Sequence, residues 1–319
     1  MAGLEPFSAI MASAPVSCIA VDWGTTNRRA WALAADGKAL GERADASGLL
    51  AVRDRRFAES LESFLGDWLG AGSGVPVVIA GMAGSRMGWV EVPYVAAPAA
   101  LSALAQALMK AGRVAGSDCW IVPGMSLDNT TQPEVMRGEE CQILGALLTH
   151  RRSDGVFLLP GTHSKWARVS DERLVDFRTY MTGEMFNLLR QSGTLAQLMT
   201  GDADDDSAFA RGVLATGEDA ELLNRLFSAR SLALFGRLDG RALASYVSGI
   251  LVGTEMRNAL ATWPALGKTG VTCIGSPAML ARYGACADLL GLGLQGIDNT
   301  DVLPSALFWI AQQAGLVAT

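Results

Sequence analysis

The chain has 319 residues, half of them apolar and only 18% charged, which is ample material for packed cores and excludes a disordered or fibrous protein. Its 32 acidic residues outnumber its 26 basic residues, so the net charge is −6, and a surface that grips a nucleic-acid backbone is not expected. The length predicts two domains. We therefore expect small molecules or other proteins as partners, and no nucleic acid.

The cysteines and the N-terminal segment bear on the compartment. Five cysteines are scattered without a Cys-x-x-Cys pair, which predicts free, mostly buried thiols and neither a disulfide framework nor a zinc site. No basic residue precedes Arg28, so no secretory signal is predicted, and residues 1–17 read as a loose arm. The helix-like apolar stretch 95–109 is too short for a membrane span. We expect a soluble cytoplasmic protein; the oligomeric state stays open, a homodimer included.

The first half of the chain alternates strand-like and helix-like segments, which predicts an α/β protein. In chain order, the pattern predicts strands at 18–23, 28–34 and 38–45, helix 54–69, strand 75–80, helix 99–111, strand 118–123 and helix 137–151. Tight turns between the first three strands predict antiparallel pairing, while strands separated by helices are expected to be parallel.

The second half repeats this order. It predicts strands at 155–159, 165–169 and 174–179, helices at 183–191, 219–235 and 241–261, strand 271–275 and helix 277–283. We therefore predict two similar domains, 1–150 and 151–319, with the boundary in the polar stretch 149–155. Gly249 and Gly253 lie one turn apart on the predicted helix 241–261, and predict a close helix contact at the domain interface or a hinge.

Each half opens with the same short pattern. Residues 19–28 and 156–165 both contain an apolar strand, a Gly-Thr turn, hydroxyl or amide side chains and then a basic residue. Glycine lets a phosphate approach the backbone, and the turn leaves N–H donors for it. One such turn alone is more simply an ordinary hairpin. Two of them at the heads of two similar halves predict a nucleotide phosphate held between the domains.

The motifs resemble those of a known superfamily. Residues 22–29 resemble the first phosphate motif of the sugar kinase, heat-shock ATPase and actin superfamily, and residues 159–166 resemble the second. Residues 137–142 are similar to the Gly-Asp-Gln-Gln segment of glycerol and pentulose kinases, and residues 274–277 resemble the adenosine motif, although a plain strand-to-helix turn is an equal alternative. The resemblance implies two ribonuclease H-like domains, the actin-like ATPase fold, with Mg-ATP in the cleft.

The superfamily resemblance also implies roles for particular residues. Asp22 would hold hydrated magnesium, and Glu139 would be the base that takes the proton of the substrate hydroxyl, with Glu140 as the alternative. Taken alone, the two glutamates read equally well as a solvated first helical turn. The phosphate cradle and the adenosine contacts would be Gly24, Thr25, Thr26, Arg29, Gly161, Thr162, Ser164 and Lys165, and Gly275 and Ser276.

Over the whole chain from about residue 18, the combination with segments 81–89 and 181–184 resembles the 2-dehydro-3-deoxygalactonokinase family. That likeness implies ATP-dependent phosphorylation of 2-dehydro-3-deoxygalactonate at its terminal (C6) hydroxyl, in galactonate breakdown. Arg86, between two glycines, is the candidate for the substrate carboxylate, since arginine binds carboxylates in bidentate fashion. Trp89 and Glu184 are weaker candidates for the same pocket. Taken alone, an exposed loop arginine such as Arg86 is more often only solvated, and Trp89 fits core packing at least as well.

Two further functional readings stay open. One is another sugar-acid or amino-sugar kinase of the same superfamily. The other is an ATP-switched regulatory or chaperone-like protein, which the lack of an appended DNA-binding or substrate-binding domain disfavours.

Overall fold

The computed structural model describes residues 15–69, 74–129, 131–217 and 221–318. The strands are β1 Cys18–Trp23, β2 Arg28–Leu33, β3 Ala39–Asp45, β4 Val77–Gly81, β5 Val95–Ala96, β6 Ala99–Ala100, β7 Met109–Val114, β8 Ser117–Ile121, β9 Met125–Leu127, β10 Glu134–Met136, β11 Gly155–Leu159, β12 Ser164–Ser170, β13 Arg173–Tyr180, β14 Val271–Gly275 and β15 Leu294–Asp298. The helices are α1 Phe57–Leu65, α2 Ala103–Gln106, α3 Glu139–His150, α4 Thr182–Gln191, α5 Gly193–Ala196, α6 Asp206–Leu214, α7 Leu222–Leu234, α8 Gly240–Thr262, α9 Leu266–Thr269, α10 Pro277–Leu290 and α11 Asn299–Gln313. Short 3-10 turns cover Leu49–Ala51, Gly66–Trp68 and Met82–Gly84.

The α/β prediction is confirmed, and most predicted elements lie within a few residues of the observed ones. The predicted helix 99–111 is wrong: this stretch contains β6, the four-residue helix α2 and the start of β7. Its alanines favour a helix, but β7 pairs with β8 across a turn at Ala115 and Gly116, and this pairing outweighs local propensity. Of the predicted arm, residues 1–14 lie outside the described residues, and residues 15–17 form neither helix nor strand.

The chain divides into two compact units. The first contains the residues up to Asp154, then Val169–Asp176, and the chain from Asn299 onwards; the second contains Gly155–Arg168 and Phe177–Asp298. The first unit is built on a six-stranded sheet in the order β3-β2-β1-β4-β8-β7. Central β1 is antiparallel to β2 and parallel to β4, as the chain connections predicted. Its residues are almost wholly buried, which explains the unbroken apolar run before Asp22.

The C-terminal helix α11 belongs to the first unit, where it packs on α3, β1 and β4. A Cβ at Gly145 of α3 would lie 2.1 Å from the carbonyl oxygen of Val302, so only glycine permits this close approach. The observed units therefore differ from the predicted domains 1–150 and 151–319, because the last segment of the chain packs in the first unit.

The second unit contains five neighbouring strands in the order β15-β14-β11-β12-β13, with β14 parallel to both β11 and β15. The turn end of the β12–β13 hairpin falls in the first unit, where Arg173 and Leu174 pair with β6. Helices α6 and α8 pack closely in the second unit, and a Cβ at Gly249 would lie 2.1 Å from the carbonyl oxygen of Phe209. The predicted close helix contact is confirmed, but it lies inside one unit and not at a domain interface.

The described helices do not include one that combines the length and the apolar character needed to cross a bilayer. All five cysteines are free and buried, as the sequence predicted.

Candidate active site

Three backbone segments of the first unit converge on Asp22. The residue lies near the end of β1, and the neighbouring parallel strand β4 ends at Gly81, where a Cβ would lie 3.3 Å from a carboxylate oxygen of Asp22. A Cβ at Gly138, just before α3, would lie 3.4 Å from the Cα of Gly81. The start of α3, which carries Glu139, therefore lies next to the end of β4, and the φ of +113° at Gly138 is one that favours glycine.

The carboxyl of Asp22 is electrostatically crowded. Burial raises its pKa to about 6; the positive charge of Arg29 acts in the opposite direction, and the neighbouring Glu139 raises the pKa further. Arg29 is the register partner of Asp22 on β2 and forms an ion pair with Glu42 at 3.2 Å. Asp22 and Glu139, which the sequence placed in one site, are thus close enough to influence each other's charge.

The structure separates the roles of the two adjacent glutamates. Glu139 is partly exposed, and one of its oxygens accepts the backbone N–H of Arg137 at 3.0 Å. Glu140 is fully buried, and both its oxygens lie 2.8 Å from the backbone N of Gly138. Burial and then the charge of Glu139 raise the pKa of Glu140 to about 7. Of the two, only Glu139 presents a carboxylate that a substrate can reach.

Hydrogen bonds hold the backbone carbonyls of the first Gly-Thr turn, whereas its residues 25–27 are exposed. The carbonyls of Gly24, Thr25 and Thr26 accept the N–H groups of residues 48–50 at 2.9 to 3.1 Å. The amides of Thr25 and Thr26 donate to no other described residue, and residues 25–27 are exposed. Free amides and hydroxyls on a backbone held in place are what an anion-binding turn requires.

The second turn exposes only part of its motif. Gly161, Thr162 and His163 are exposed, and a Cβ at Gly161 would have no neighbour within 4 Å, so internal packing does not require this glycine. Ser164 and Lys165 are buried instead. The Ser164 hydroxyl lies 3.1 Å from the Tyr283 hydroxyl, and the Lys165 ammonium donates to Thr179 at 2.9 Å. Of the phosphate-binding residues predicted in this turn, Gly161 and Thr162 are therefore exposed, whereas Ser164 and Lys165 are buried.

A cavity of about 430 Å³ in the second unit continues from this turn. Its lining is Gly161, Thr162, Thr182, Gly183, Phe186, Asn187, Ala203, Ser248, Leu251, Val252, Ala278, Met279, Arg282 and Tyr283. The predicted adenosine residues Gly275 and Ser276 stand just before α10 and are not in this lining, but α10 itself contributes four residues. A mixed apolar and polar cavity of this size suits a nucleoside.

A buried hydrogen-bond network lies behind the cavity. Glu255 of α8 is 2% exposed and accepts the indole N–H of Trp166 at 2.8 Å and the hydroxyl of Tyr283 at 2.9 Å. Burial raises the pKa of Glu255, while hydrogen bonds, including one from Thr182, oppose the rise. The network joins β12, α8 and α10, and so fixes two residues of the cavity wall, Tyr283 and Thr182.

The three predicted substrate contacts are divided between the two units. Arg86 is exposed on the loop after β4 and forms no hydrogen bond or ion pair with any described residue. Trp89, on the same loop, packs against the apolar core of the first unit. Glu184 lies in the second unit, 2.5 Å from Nε2 of His163. Arg86 thus keeps the accessibility that ligand binding needs, whereas Trp89 has the core position that was its alternative.

Comparisons with known proteins identify the family of the chain. The model of the family 2-keto-3-deoxy-galactonokinase matches residues 22–310. The chain belongs to this family. The 2-dehydro-3-deoxygalactonokinase of Escherichia coli is 31% identical over 296 residues, covering 92% of this chain and 97% of the relative. A crystal structure assigned to a 2-dehydro-3-deoxygalactonokinase of Sinorhizobium meliloti superposes with a TM-score of 0.85 at 33% identity, covering 92% and 98% of the two chains.

This galactonokinase-family chain also has the predicted actin-like ATPase fold. The activator of 2-hydroxyisocaproyl-CoA dehydratase from Clostridium difficile, solved with bound ADPNP, superposes with a TM-score of 0.52 at 13% identity, covering 93% and 96% of the chains. The family makes the chain a carbohydrate kinase, which implies ATP as phosphoryl donor and a sugar acid as acceptor. The predicted resemblance, reaction class and fold are confirmed.

Sequence reasoning missed several residues around the sites of this galactonokinase-family protein. Glu255 and Arg282 carry no local motif, and only packing brings them to the cavity. Arg137 is the first residue of the segment 137–142, but no role was predicted for it. Its guanidinium donates to the carbonyl of Val92 at 2.7 Å and lies 4.4 Å from the ring centroid of Tyr94. Asn27 lies in the exposed part of the first turn, and the repeated pattern could have pointed to it.

Proposed function

We propose that this chain transfers the γ-phosphate of ATP to the C6 hydroxyl of 2-dehydro-3-deoxy-D-galactonate. The observation that carries this proposal is the meeting of Asp22 and Glu139 at the ends of β1 and β4, in a chain of the galactonokinase family. Phosphoryl transfer asks a protein mainly for positioning, charge neutralisation and a base for the acceptor hydroxyl. Glu139 would supply the base, and Asp22 would hold the magnesium ion that neutralises charge.

Glu139 is the proposed base. It is partly exposed, and one of its oxygens accepts the N–H of Arg137, which orients the carboxylate that would take the proton of the sugar hydroxyl. Glu140 is assigned a structural role, because its fully buried carboxyl binds the amide of Gly138 and so supports the backbone that presents Glu139.

Asp22 is the proposed magnesium-organising carboxylate. A raised pKa next to a second carboxylate marks a place where added positive charge is favourable, which fits a divalent cation. Among the described residues no three acidic, histidine or cysteine side chains form a protein-only metal cage. That agrees with magnesium, which commonly binds one or two carboxylates together with phosphates and water. The ion would neutralise phosphate charge during transfer.

The phosphates and the adenosine are assigned to the two Gly-Thr turns and to the second unit. Exposed Thr25, Thr26 and Thr162, the open backbone at Gly161 and the close turn that Gly24 makes with the Asn27 carbonyl support phosphate binding. Arg29 would contribute its positive charge. Ser164 and Lys165 are buried, and would support the turn from the protein interior. Adenosine is assigned to the cavity beside α10, with Gly275 and Ser276 at the start of that helix.

Arg86 is the proposed receptor for the substrate carboxylate. Burying an unpaired carboxylate costs several kcal/mol, so the pocket needs a cation, and the Arg86 guanidinium is exposed and uncommitted among the described residues. Cytoplasmic location is part of the proposal as well, since five free thiols suit a reducing compartment.

The test is coupled measurement of ADP release over a panel of 2-keto-3-deoxy sugar acids that differ at C4. We expect the galacto acid to give the highest kcat/KM, and Glu139→Gln to lower kcat by about 10² to 10⁴ with nucleotide affinity nearly unchanged. The matched control is Glu140→Gln, which should keep near wild-type turnover. ADP release that no sugar acid alters would contradict the proposed function and favour an ATP switch. Loss of activity in Glu140→Gln alone would reverse the assignment within the pair.

A further inference from the structure

The second Gly-Thr turn contains an exposed histidine that the reaction above leaves without a role. Lys165, the cation that the motif offers for phosphate, is 5% exposed, and its ammonium donates to Thr179. Ser164 is fully buried against Tyr283. The only charged or basic side chain that this turn presents to solvent is therefore that of His163, which is 50% exposed.

The corresponding motif in the first half of the chain shows the same arrangement of buried and exposed residues. Arg28 stands in the first motif where Lys165 stands in the second, and it too is buried, with two guanidinium nitrogens each 2.9 Å from an oxygen of Asp45. His163 corresponds to Thr26, which is exposed. In both halves the basic residue that closes the motif turns into the protein, and the residue two places before it faces outward.

Glu184 holds His163 at the turn. Its carboxylate lies 2.5 Å from Nε2 of the imidazole, and its backbone N–H donates to the carbonyl of Thr162 at 2.9 Å. A Cβ at Gly183 would lie 2.4 Å from the carbonyl oxygen of Gly161, so the first turn of α4 is seated directly on this loop. The imidazole is therefore fixed next to Thr162, which lines the cavity assigned to adenosine.

We propose that His163 contacts the nucleotide phosphates from the second turn, and that Glu184 is its positioning residue. A carboxylate beside a polyphosphate repels it unless a cation or N–H donor compensates, and an imidazolium at this place would donate Nε2–H to Glu184 and Nδ1–H to a phosphate oxygen. Glu184, predicted above for the sugar-acid pocket, thereby acts on the nucleotide side. The inference rests on the proposed function only in so far as nucleotide phosphates bind at this turn.

The experiment compares the affinities of ADP and adenosine by calorimetry for the full-length chain. Loss of a charge-assisted contact to phosphate should weaken ADP binding by about ten- to a hundredfold in His163→Ala, while adenosine affinity stays unchanged. The matched control is His150→Ala, because His150 is the other histidine of the chain and lies at the end of α3 with Nδ1 3.2 Å from the Ala146 carbonyl. This control should keep the wild-type ratio of the two affinities.

A double variant separates phosphate contact from simple charge compensation. In His163→Ala with Glu184→Gln, the repulsive carboxylate is gone, so ADP binding should recover in part but stay weaker than in Glu184→Gln alone. Full recovery to the wild-type value, or an unchanged ADP-to-adenosine ratio in His163→Ala, would overturn the proposal. If the wild type phosphorylated none of the sugar acids, the proposed substrate would fail, whereas these affinity ratios would still decide the role of His163.

Discussion

At the scale of single residues, the site depends on which of two neighbours in the chain turns outward. Glu139 and Glu140 have the same side chain, yet one is partly exposed and the other is fully buried against the amide of Gly138. Burial makes ionisation of Glu140 unfavourable and raises its pKa to about 7. A group of this kind lowers stability at neutral pH, because the unfolded chain releases a proton that the folded protein holds.

This raised pKa predicts a specific pH dependence of stability. An unfolded glutamate ionises near pH 4.5, whereas Glu140 in the folded protein holds its proton to about pH 7. Its contribution to the free energy of unfolding therefore falls as the pH rises between these values and stays low above them. Glu140→Gln cannot ionise, so relative to wild type it should gain on the order of 3 kcal/mol between pH 4.5 and 8. Denaturant unfolding at both pH values measures this, and a difference independent of pH would contradict the buried, protonated state.

Arg86 supports a second prediction at this scale. Losing a bidentate guanidinium contact should raise KM for the sugar acid at least about tenfold in Arg86→Ala, with little change in KM for ATP. The control is Arg113→Ala, because Arg113 is an exposed arginine of the same unit that pairs with Asp118 on the β7–β8 hairpin. Steady-state kinetics with each substrate varied in turn makes the comparison. Reduced ATP affinity, or unaltered kinetics for the acid, would place the carboxylate receptor elsewhere.

At the scale of elements, glycines decide how closely helices approach. A Cβ at Gly249 of α8 would lie 2.1 Å from the carbonyl oxygen of Phe209 in α6, whereas a Cβ at Gly284 of α10 would meet nothing within 4 Å. The same substitution should therefore have opposite effects. Gly249→Ala should lower the free energy of unfolding by about 1 to 3 kcal/mol through overpacking, and Gly284→Ala should raise it by up to about 1 kcal/mol through helix propensity. Equal effects of the two in denaturant titrations would contradict this account of the α6–α8 contact.

At the scale of the whole molecule, the last helix of the chain stabilises the first unit. Leu307 of α11 is fully buried, and α11 packs on β1 and β4. Leu307→Ala should cost about 2 to 5 kcal/mol and speed amide hydrogen exchange in β1 more than in β14. Leu266→Ala is the matched control, since Leu266 is buried in the second unit beside Val271 and should speed exchange in β14 instead. Faster exchange in β14 for Leu307→Ala would contradict the assignment of α11 to the first unit.

The sequence by itself determined the features that are encoded locally. Mainly apolar runs placed β1 and β14, tight turns predicted the antiparallel β1-β2-β3 meander, and the repeated Gly-Thr turns indicated the binding of nucleotide phosphate. Each signal lies within about ten consecutive residues, where propensity and spacing act directly.

Only the tertiary structure decided what depends on contacts between distant segments. It returned α11 to the first unit, divided 99–111 among β6, α2 and the start of β7, and buried Lys165 while exposing His163 beside Glu184. No local pattern distinguishes Glu139 from Glu140, because their difference in burial depends on how the start of α3 packs in the first unit. Burial and pairing are properties of the packed chain, and a motif states which residues are near in sequence but not which of them face the ligand.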